Sequence, residues 1–203
     1  MFRIISGKWK AKRISAPKNF DVRPTTDFAK EALFSIIENR FRLDYASISV
    51  LDLFAGIGSL TFEFASRDCK DVTSVEMNPK HSTFINMVAT ELEMSPQINV
   101  HRADVFDYLK KNRNRKVYDL VVADPPFETE EARYQELISL VLNNNYLGEK
   151  GIFILEHQSR TKIQHPNLLD TRKYGNVSFS FFEANKPKAE EAANAEKLEK
   201  PEE

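Results

Sequence analysis

From residue 47 onward the chain alternates short runs rich in β-branched residues with longer segments of helical spacing. This pattern restricts the fold more than any other feature. Strands are predicted over residues 48–54, 71–76, 98–101, 118–123, 151–156, 171–174 and 177–182. Helices are predicted near 59–67, 79–94, 104–112 and 130–145, one in each gap between the first five strands. Strands joined through helices form parallel crossovers, so the expected fold is α/β, a doubly wound, mostly parallel sheet with helices on both faces. The last two strands lie too close for a crossover and should pair as an antiparallel hairpin turning at Gly175-Asn176. Pro79, just after Asn78, suits the first turn of a helix, where its missing N–H costs nothing.

A different unit precedes this body. Residues 2–15 alternate around Gly7 like a small β-hairpin. Arg23-Pro24-Thr25-Thr26-Asp27 then supplies turn and N-cap residues ahead of a helix containing Ala29, Leu33, Ile36 and Ile37. The expected organisation is a basic N-terminal hairpin arm over 1–27, one sheet domain over 28–186 and a charged tail over 187–203.

A length of 203 residues is ordinary for one domain, and no apolar run approaches the roughly 18 residues of a membrane span. The start of the chain mixes charge with apolar residues and lacks the continuous apolar core of a secretory signal, so a cytoplasmic protein with no membrane partner is expected. Cys69 stands alone and no Cys-x-x-Cys or close His/Cys set occurs, which predicts neither disulfide nor metal. The net charge of -1 conceals a segregation of sign. Residues 1–30 carry Arg3, Lys8, Lys10, Lys12, Arg13, Lys18, Arg23 and Lys30 against Asp21 and Asp27, whereas residues 188–203 carry six glutamates and three lysines. The tail, without aromatic or β-branched residues, is expected to be disordered. A basic end on a near-neutral body suits a polyanion partner, and a solvated charged face is the ordinary alternative.

Three constellations carry chemistry. The first, Val50-Leu51-Asp52-Leu53-Phe54-Ala55-Gly56-Ile57-Gly58-Ser59-Leu60, reads as a buried strand, a small-residue turn and a helix start. Gly56 and Gly58 would let the backbone approach a ligand, and the helix start offers free N–H groups. Thr61 stands where a dinucleotide fingerprint would have its third glycine, which argues against a pyrophosphate ligand and a dinucleotide oxidoreductase. Second, Glu76 ends the next strand, twenty residues beyond Gly56, where a carboxylate can accept from both ribose hydroxyls of an adenosine. Asp104, after the following strand, could meet an adenine amino group or serve only as an N-cap. Third, Asp124-Pro125-Pro126-Phe127 closes an apolar strand abruptly. The prolines stiffen the loop, so the Asp124 carboxylate and the Pro125 carbonyl become fixed acceptors that match the two hydrogens of a planar amino group, with Phe127 stacked on its ring.

Together these residues resemble the amino-group methyltransferases whose catalytic loop reads Asp/Asn-Pro-Pro-aromatic. More closely, the chain resembles the bacterial 16S ribosomal RNA (guanine-N2) methyltransferase family of the RsmD type. The likeness runs over residues 3–183, through Arg3-Ile4-Ile5-Ser6-Gly7-Lys8-Trp9-Lys10, Arg23-Pro24-Thr25-Thr26-Asp27, Glu31-Ala32-Leu33-Phe34, Leu51-Asp52-Leu53-Phe54-Ala55-Gly56-Ile57-Gly58, Glu76, Asp124-Pro125-Pro126-Phe127, Glu156-His157 and Lys173-Tyr174-Gly175. The resemblance implies a Rossmann-like class I methyltransferase fold with a mostly parallel seven-stranded sheet. It also implies S-adenosylmethionine as cofactor and 16S ribosomal RNA or the small ribosomal subunit as partner, met by a monomer. Carried over by residue, Asp52, Phe54, Ala55, Gly56, Gly58, Glu76 and Asp104 would hold the cofactor, and Asp124, Pro125, Pro126 and Phe127 would be catalytic. Arg3, Lys8, Lys10, Lys12, Arg13 and Arg23 would grip RNA. Ile57 departs from the small polar residue frequent in that family. Alternatives at this stage are an adenine-N6 methyltransferase on DNA or RNA, a protein-glutamine methyltransferase, and a non-catalytic RNA-binding assembly factor on the same fold.

Overall fold

In the computed structural model residues 1–17, 20 and 26–185 are described, so Lys18, Arg23, Thr25 and the acidic tail lie outside the described residues. The strands β5 (Ile98–Arg102), β4 (Asp71–Glu76), β3 (Ser49–Leu53), β6 (Tyr118–Ala123), β7 (Leu147–Gln158), β9 (Val177–Glu183) and β8 (Leu168–Tyr174) lie side by side in that order. Only β9 runs against the rest, pairing antiparallel with β7 and β8. The chain enters at β3, winds outward to β5, and crosses back to β6 on the other side of β3. That reversal opens a crevice at the carboxyl ends of β3 and β6, where ligands bind in sheets of this kind.

Alternation along the strands builds two cores. Val50, Val72, Leu120, Val122, Ile152 and Ile154 face α1 (Asp27–Ile36), α2 (Ser59–Ser66) and α3 (Pro79–Glu91). Leu51, Leu53, Val75, Val121, Phe153 and Leu155 face α4 (Val105–Lys111) and α5 (Glu131–Asn143). Because both faces are covered, β6 and β7 carry unbroken apolar runs, Leu120–Ala123 and Ile152–Leu155, whereas β3 and β4 interrupt theirs with the buried polar residues Asp52, Thr73 and Ser74. β5 and β9 run one residue past their predicted spans, and two strands start three or more residues before theirs. β7 begins at Leu147, where its pairing with β6 shifts register between Tyr118 and Leu120, and β8 begins at Leu168, with a shift before Asp170. The added residues sit at an irregular strand start and on a solvent-facing edge, so no apolar period marks them. No helix among the described residues is long and apolar enough to cross a membrane.

The N-terminal hairpin pairs only Phe2 with Ile14 and Arg3 with Arg13, in β1 (Phe2–Arg3) and β2 (Arg13–Ile14). Its tip closes on itself, with the Lys10 N–H donating to the Gly7 carbonyl at 3.2 Å and the Lys12 N–H to the Trp9 carbonyl at 3.0 Å, and it also bonds to α2. Gly7, at φ +83°, lies against the end of that helix, where a Cβ would fall 1.8 Å from the Ser66 carbonyl oxygen. The Lys8 N–H donates to that oxygen at 2.7 Å and the Trp9 N–H to Ser66 Oγ at 3.0 Å. Glu63, on the same helix and fully buried, accepts from the N–H groups of Ile5 (2.8 Å) and Ser6 (3.0 Å). Its carboxylate also faces Lys30 Nζ at 3.5 Å and Arg67 Nε at 3.1 Å. Phe2, Ile4 and Ile14 join the core beneath α1 and α2, so the hairpin shares the hydrophobic interior of the sheet.

Candidate active site

A cavity of about 880 Å³ opens at the crevice between β3 and β6. Strand ends supply its polar groups: Asp52 and the turn after β3, Glu76 from β4, Asp104 after β5, Asp124 to Phe127 after β6, and Glu156 from β7. Parallel strands put their carboxyl ends on one edge, which is why residues more than a hundred positions apart meet here.

The turn after β3 is held from several directions. Ala55 N–H donates to the Val75 carbonyl at 3.1 Å, and Gly56 N–H donates to Glu76 Oε2 at 2.8 Å. Glu76 Oε1 accepts from Asn78 N–H at 2.7 Å, with His81 Nδ1 at 3.6 Å. The Glu76 carboxylate is thereby oriented by the backbone of two turns while still lining the cavity. Gly56 lines the cavity as well. Gly58 does not, and the structure gives its glycine another reason: at φ +84° a Cβ there would lie 2.7 Å from the Phe62 ring.

Thr61 belongs to the same construction. Its hydroxyl donates to Asp52 Oδ2 at 2.5 Å and accepts from the Ser74 hydroxyl at 2.8 Å, all three residues being buried. Burial pushes the Asp52 carboxyl up to about 7; the Thr61 hydrogen bond opposes this and the Asp124 charge adds to it. Asp104 is the N-cap the sequence allowed, its Oδ1 accepting from Asp107 N–H at 3.0 Å at the start of α4, and the residue also lines the cavity.

The Asp124 to Phe127 loop is anchored along its length. Asp124 N–H donates to the Leu53 carbonyl at 3.3 Å, the Pro126 carbonyl accepts from Thr129 N–H at 2.9 Å, and Gln158 Nε2 donates to the Phe127 carbonyl at 2.7 Å. All four loop residues line the cavity beside the glycine turn. The cavity is also lined by Thr26 and Ala29 from the start of α1, Val177 from β9, and Arg133, whose guanidinium lies 3.5 Å from the Phe106 ring centroid. The sequence does not mark these residues, nor His81 and Glu156, as part of a site. Only the N-cap pattern of Thr26, Asn78-Pro79 ahead of His81, and the place of Glu156 at a strand end could have signalled them.

The expected RNA-contacting residues divide into two sets. Arg3 pairs with Asp27 (3.0 Å) and Glu31 (3.6 Å), Lys8 with Glu93 (3.8 Å) and Lys12 with Glu91 (3.0 Å). Lys10 and Arg13 are exposed and pair with no carboxylate among the described residues. Arg23 lies outside them.

Known proteins share this architecture. A family profile described as Conserved hypothetical protein 95 matches residues 2–183. Ribosomal RNA small subunit methyltransferase D of Buchnera aphidicola subsp. Baizongia pistaciae is 32% identical over 185 residues, 89% of this chain and 90% of that protein. The solved structure of yhhF from Escherichia coli superposes with a TM-score of 0.74 at 26% identity, covering 91% of this chain and 99% of that one. An RNA methyltransferase from Salinibacter ruber, solved with S-adenosyl-L-homocysteine, shares the fold alone, with a TM-score of 0.62 at 11% identity over 82% of this chain and 97% of that one. The seven-stranded order with its reversed strand β9 is that of the class I methyltransferases, and the chain belongs to the family of ribosomal RNA small subunit methyltransferase D.

Proposed function

We propose that the chain transfers a methyl group from S-adenosylmethionine to the exocyclic N2 of a guanine in 16S ribosomal RNA. The observation that carries this reading is the stiff Asp124-Pro125-Pro126-Phe127 loop bordering the same cavity as Gly56 and Glu76. A volume near 880 Å³ is ample for a nucleoside cofactor together with one base. The Salinibacter protein holds S-adenosyl-L-homocysteine on this fold. The residues present suit such a ligand: Glu76 keeps acceptor capacity for ribose hydroxyls, Gly56 offers backbone without a side chain, and Asp104 lies within the same wall.

The cofactor, when bound, supplies an electrophilic methyl on a sulfonium leaving group, so positioning of the amino nitrogen dominates and no strong general base is required. Asp124 and the Pro125 carbonyl accept the two amino hydrogens and direct the nitrogen lone pair across the cavity. Phe127 stacks on the ring and fixes its plane. A guanine paired in a helix cannot reach this depth, so the target base is unpaired or extruded.

The test is transfer of labelled methyl from S-adenosylmethionine to small subunits from cells lacking this protein, followed by nucleoside analysis. N2-methylguanosine is the expected product; N6-methyladenosine would replace the guanine reading with an adenine one. Asp124→Ala should lower turnover about a thousandfold or more, with affinity for S-adenosylhomocysteine kept within a few-fold.

A further inference from the structure

Glu156 and His157 are neighbours in sequence with separate tasks. His157 is buried, its Nδ1 lies 2.9 Å from the Gln158 carbonyl and its Nε2 lies 2.9 Å from Ser180 Oγ. A carbonyl only accepts, so Nδ1 carries the hydrogen and Nε2 accepts from the Ser180 hydroxyl. Burial holds the imidazole below its ordinary pKa, with the hydrogen bond to the Gln158 carbonyl opposing, in keeping with this neutral form. His157 therefore ties β7 to β9.

Glu156 points the other way along the strand and lines the cavity. Its place relative to Asp124 follows from register. Val122 pairs with Ile154 and Ala123 with Leu155, so the next positions on these neighbouring parallel strands are Asp124 and Glu156. Adjacent strands run about 4.8 Å apart, so the two residues follow neighbouring strand positions at one edge of the cavity that both line. Both also act on the Tyr134 hydroxyl, a buried group with no hydrogen-bond partner among the described residues, whose ionisation is pushed up first by burial and then by Asp124 and Glu156.

The bases differ at the corresponding place. Beside its N2 amino group guanine carries N1–H, a donor; beside its N6 amino group adenine carries a bare N1, an acceptor. A carboxylate next to the one that holds the amino group is complementary to guanine and opposes adenine lone pair to lone pair. We infer that Glu156 is the base-selecting residue of this site, accepting the N1–H of the target guanine while Asp124 and Pro125 hold its N2 amino group. The inference rests on the guanine-N2 reading above.

The experiment uses small subunits reconstituted with 16S RNA that carries either guanosine or 2-aminopurine at the nucleotide methylated by the wild-type protein. 2-Aminopurine keeps the N2 amino group and presents a bare N1. Wild type is expected to prefer guanosine by about a hundredfold or more in kcat/KM, because a carboxylate facing a bare N1 has no donor to accept. In Glu156→Gln, the amide can accept from N1–H or donate to bare N1, so the preference should shrink to within about tenfold. Glu156→Asp keeps acceptors only and should retain the preference while slowing transfer, which separates a change of donor from a disturbed strand end. Equal wild-type rates on the two RNAs would overturn the assignment. So would an unchanged preference in Glu156→Gln, or an equal loss of preference in Glu156→Asp. Should wild type place no methyl on guanine N2 at all, the guanine-N2 reading fails first; should it do so with no dependence on Glu156, only this inference fails.

Discussion

Two glutamates, Glu63 and Glu76, use similar chemistry to opposite ends. Each accepts from two backbone N–H groups and so pins a turn: Glu63 holds Ile5 and Ser6, and Glu76 holds Gly56 and Asn78. Glu63 is then enclosed completely, with Lys30 and Arg67 at its oxygens and no exposed surface. Among the described residues Glu76 has no Lys or Arg at its oxygens, only His81 at 3.6 Å as a basic neighbour, and it lines the cavity. A carboxylate whose acceptor capacity is filled by the protein is a clasp; one that is oriented but incompletely filled can hold a ligand. The same distinction separates the N-terminal hairpin, fastened by Glu63 and Ser66, from the cavity edge of the sheet, where Asp52, Glu76, Asp124 and Glu156 line a common space.

The largest effect expected from this contrast is on stability. Glu63→Ala strands Lys30 in the interior and frees two N–H groups, and removing one partner of a buried ion pair costs about 3–5 kcal/mol. For a domain of this size that is a fall in Tm on the order of 10 °C, read by thermal melting. Glu76→Gln should do the reverse, with Tm moving only slightly while affinity for S-adenosylhomocysteine drops roughly tenfold by calorimetric titration, as suits a charged hydrogen-bond acceptor made neutral. A Glu63 variant that melts normally but loses cofactor would erase the distinction between clasp and site.

The site was more legible than the clasp, for a physical reason. Glu76 could be located because strand ends of a doubly wound sheet share an edge, and its distance from Gly56 is set by one β-α-β unit. The Asp124 loop announced itself by two prolines that no interior strand accommodates. Glu63 lies inside a helix between Phe62 and Phe64, where an isolated acid reads as an exposed position; only the docking of residues 5 and 6 on that face explains it. Lys30 likewise adds to the basic charge of residues 1–30 in the sequence, yet it is fully buried, its pKa lowered by burial against the opposing pull of Glu63. Thr61 was noted for the glycine it replaces, and its hydrogen bond to Asp52 became visible only with α2 packed over β3 and β4. Gly58 matched the motif, but packing against Phe62 accounts for it better than contact with a ligand does.

Asp52 allows the comparison to be sharpened by pH. Its carboxyl titrates near 7 in the folded protein and in the ordinary carboxylate range when unfolded, so the folded state retains a proton that the unfolded state has released. The contribution to stability therefore falls as pH rises from about 4 to about 7 and stays low above that. Asp52→Asn, neutral throughout, should melt above wild type at pH 8, with the gap closing toward pH 4. A bound cation favours the ionised form, so affinity of wild type for S-adenosylmethionine should rise with pH through about 7 and be flat in the variant. A pH-independent gap in Tm would mean that Asp52 is ionised in the fold across this range.

The smallest effect belongs to the hairpin surface, where the clasp meets solvent. Arg3, Lys8 and Lys12 already pair with carboxylates of α1, α3 and the turn after α3, and exposed pairs of this kind contribute little to stability. They are also partly neutralised toward any polyanion. Lys10 and Arg13 have no such partners among the described residues, so they are the cations of the arm best placed to displace counterions from RNA. Changing both to Ala should weaken binding to the small subunit by a few-fold at moderate salt. It should also reduce the slope of log affinity against log salt by roughly 1.4–1.8, two phosphate contacts' worth. Changing Lys8 and Lys12 instead should shift the slope less, because each charge removed uncovers a glutamate that had been paired. Equal slopes for the two double variants would show that the pairing on the hairpin surface does not decide which cations reach RNA.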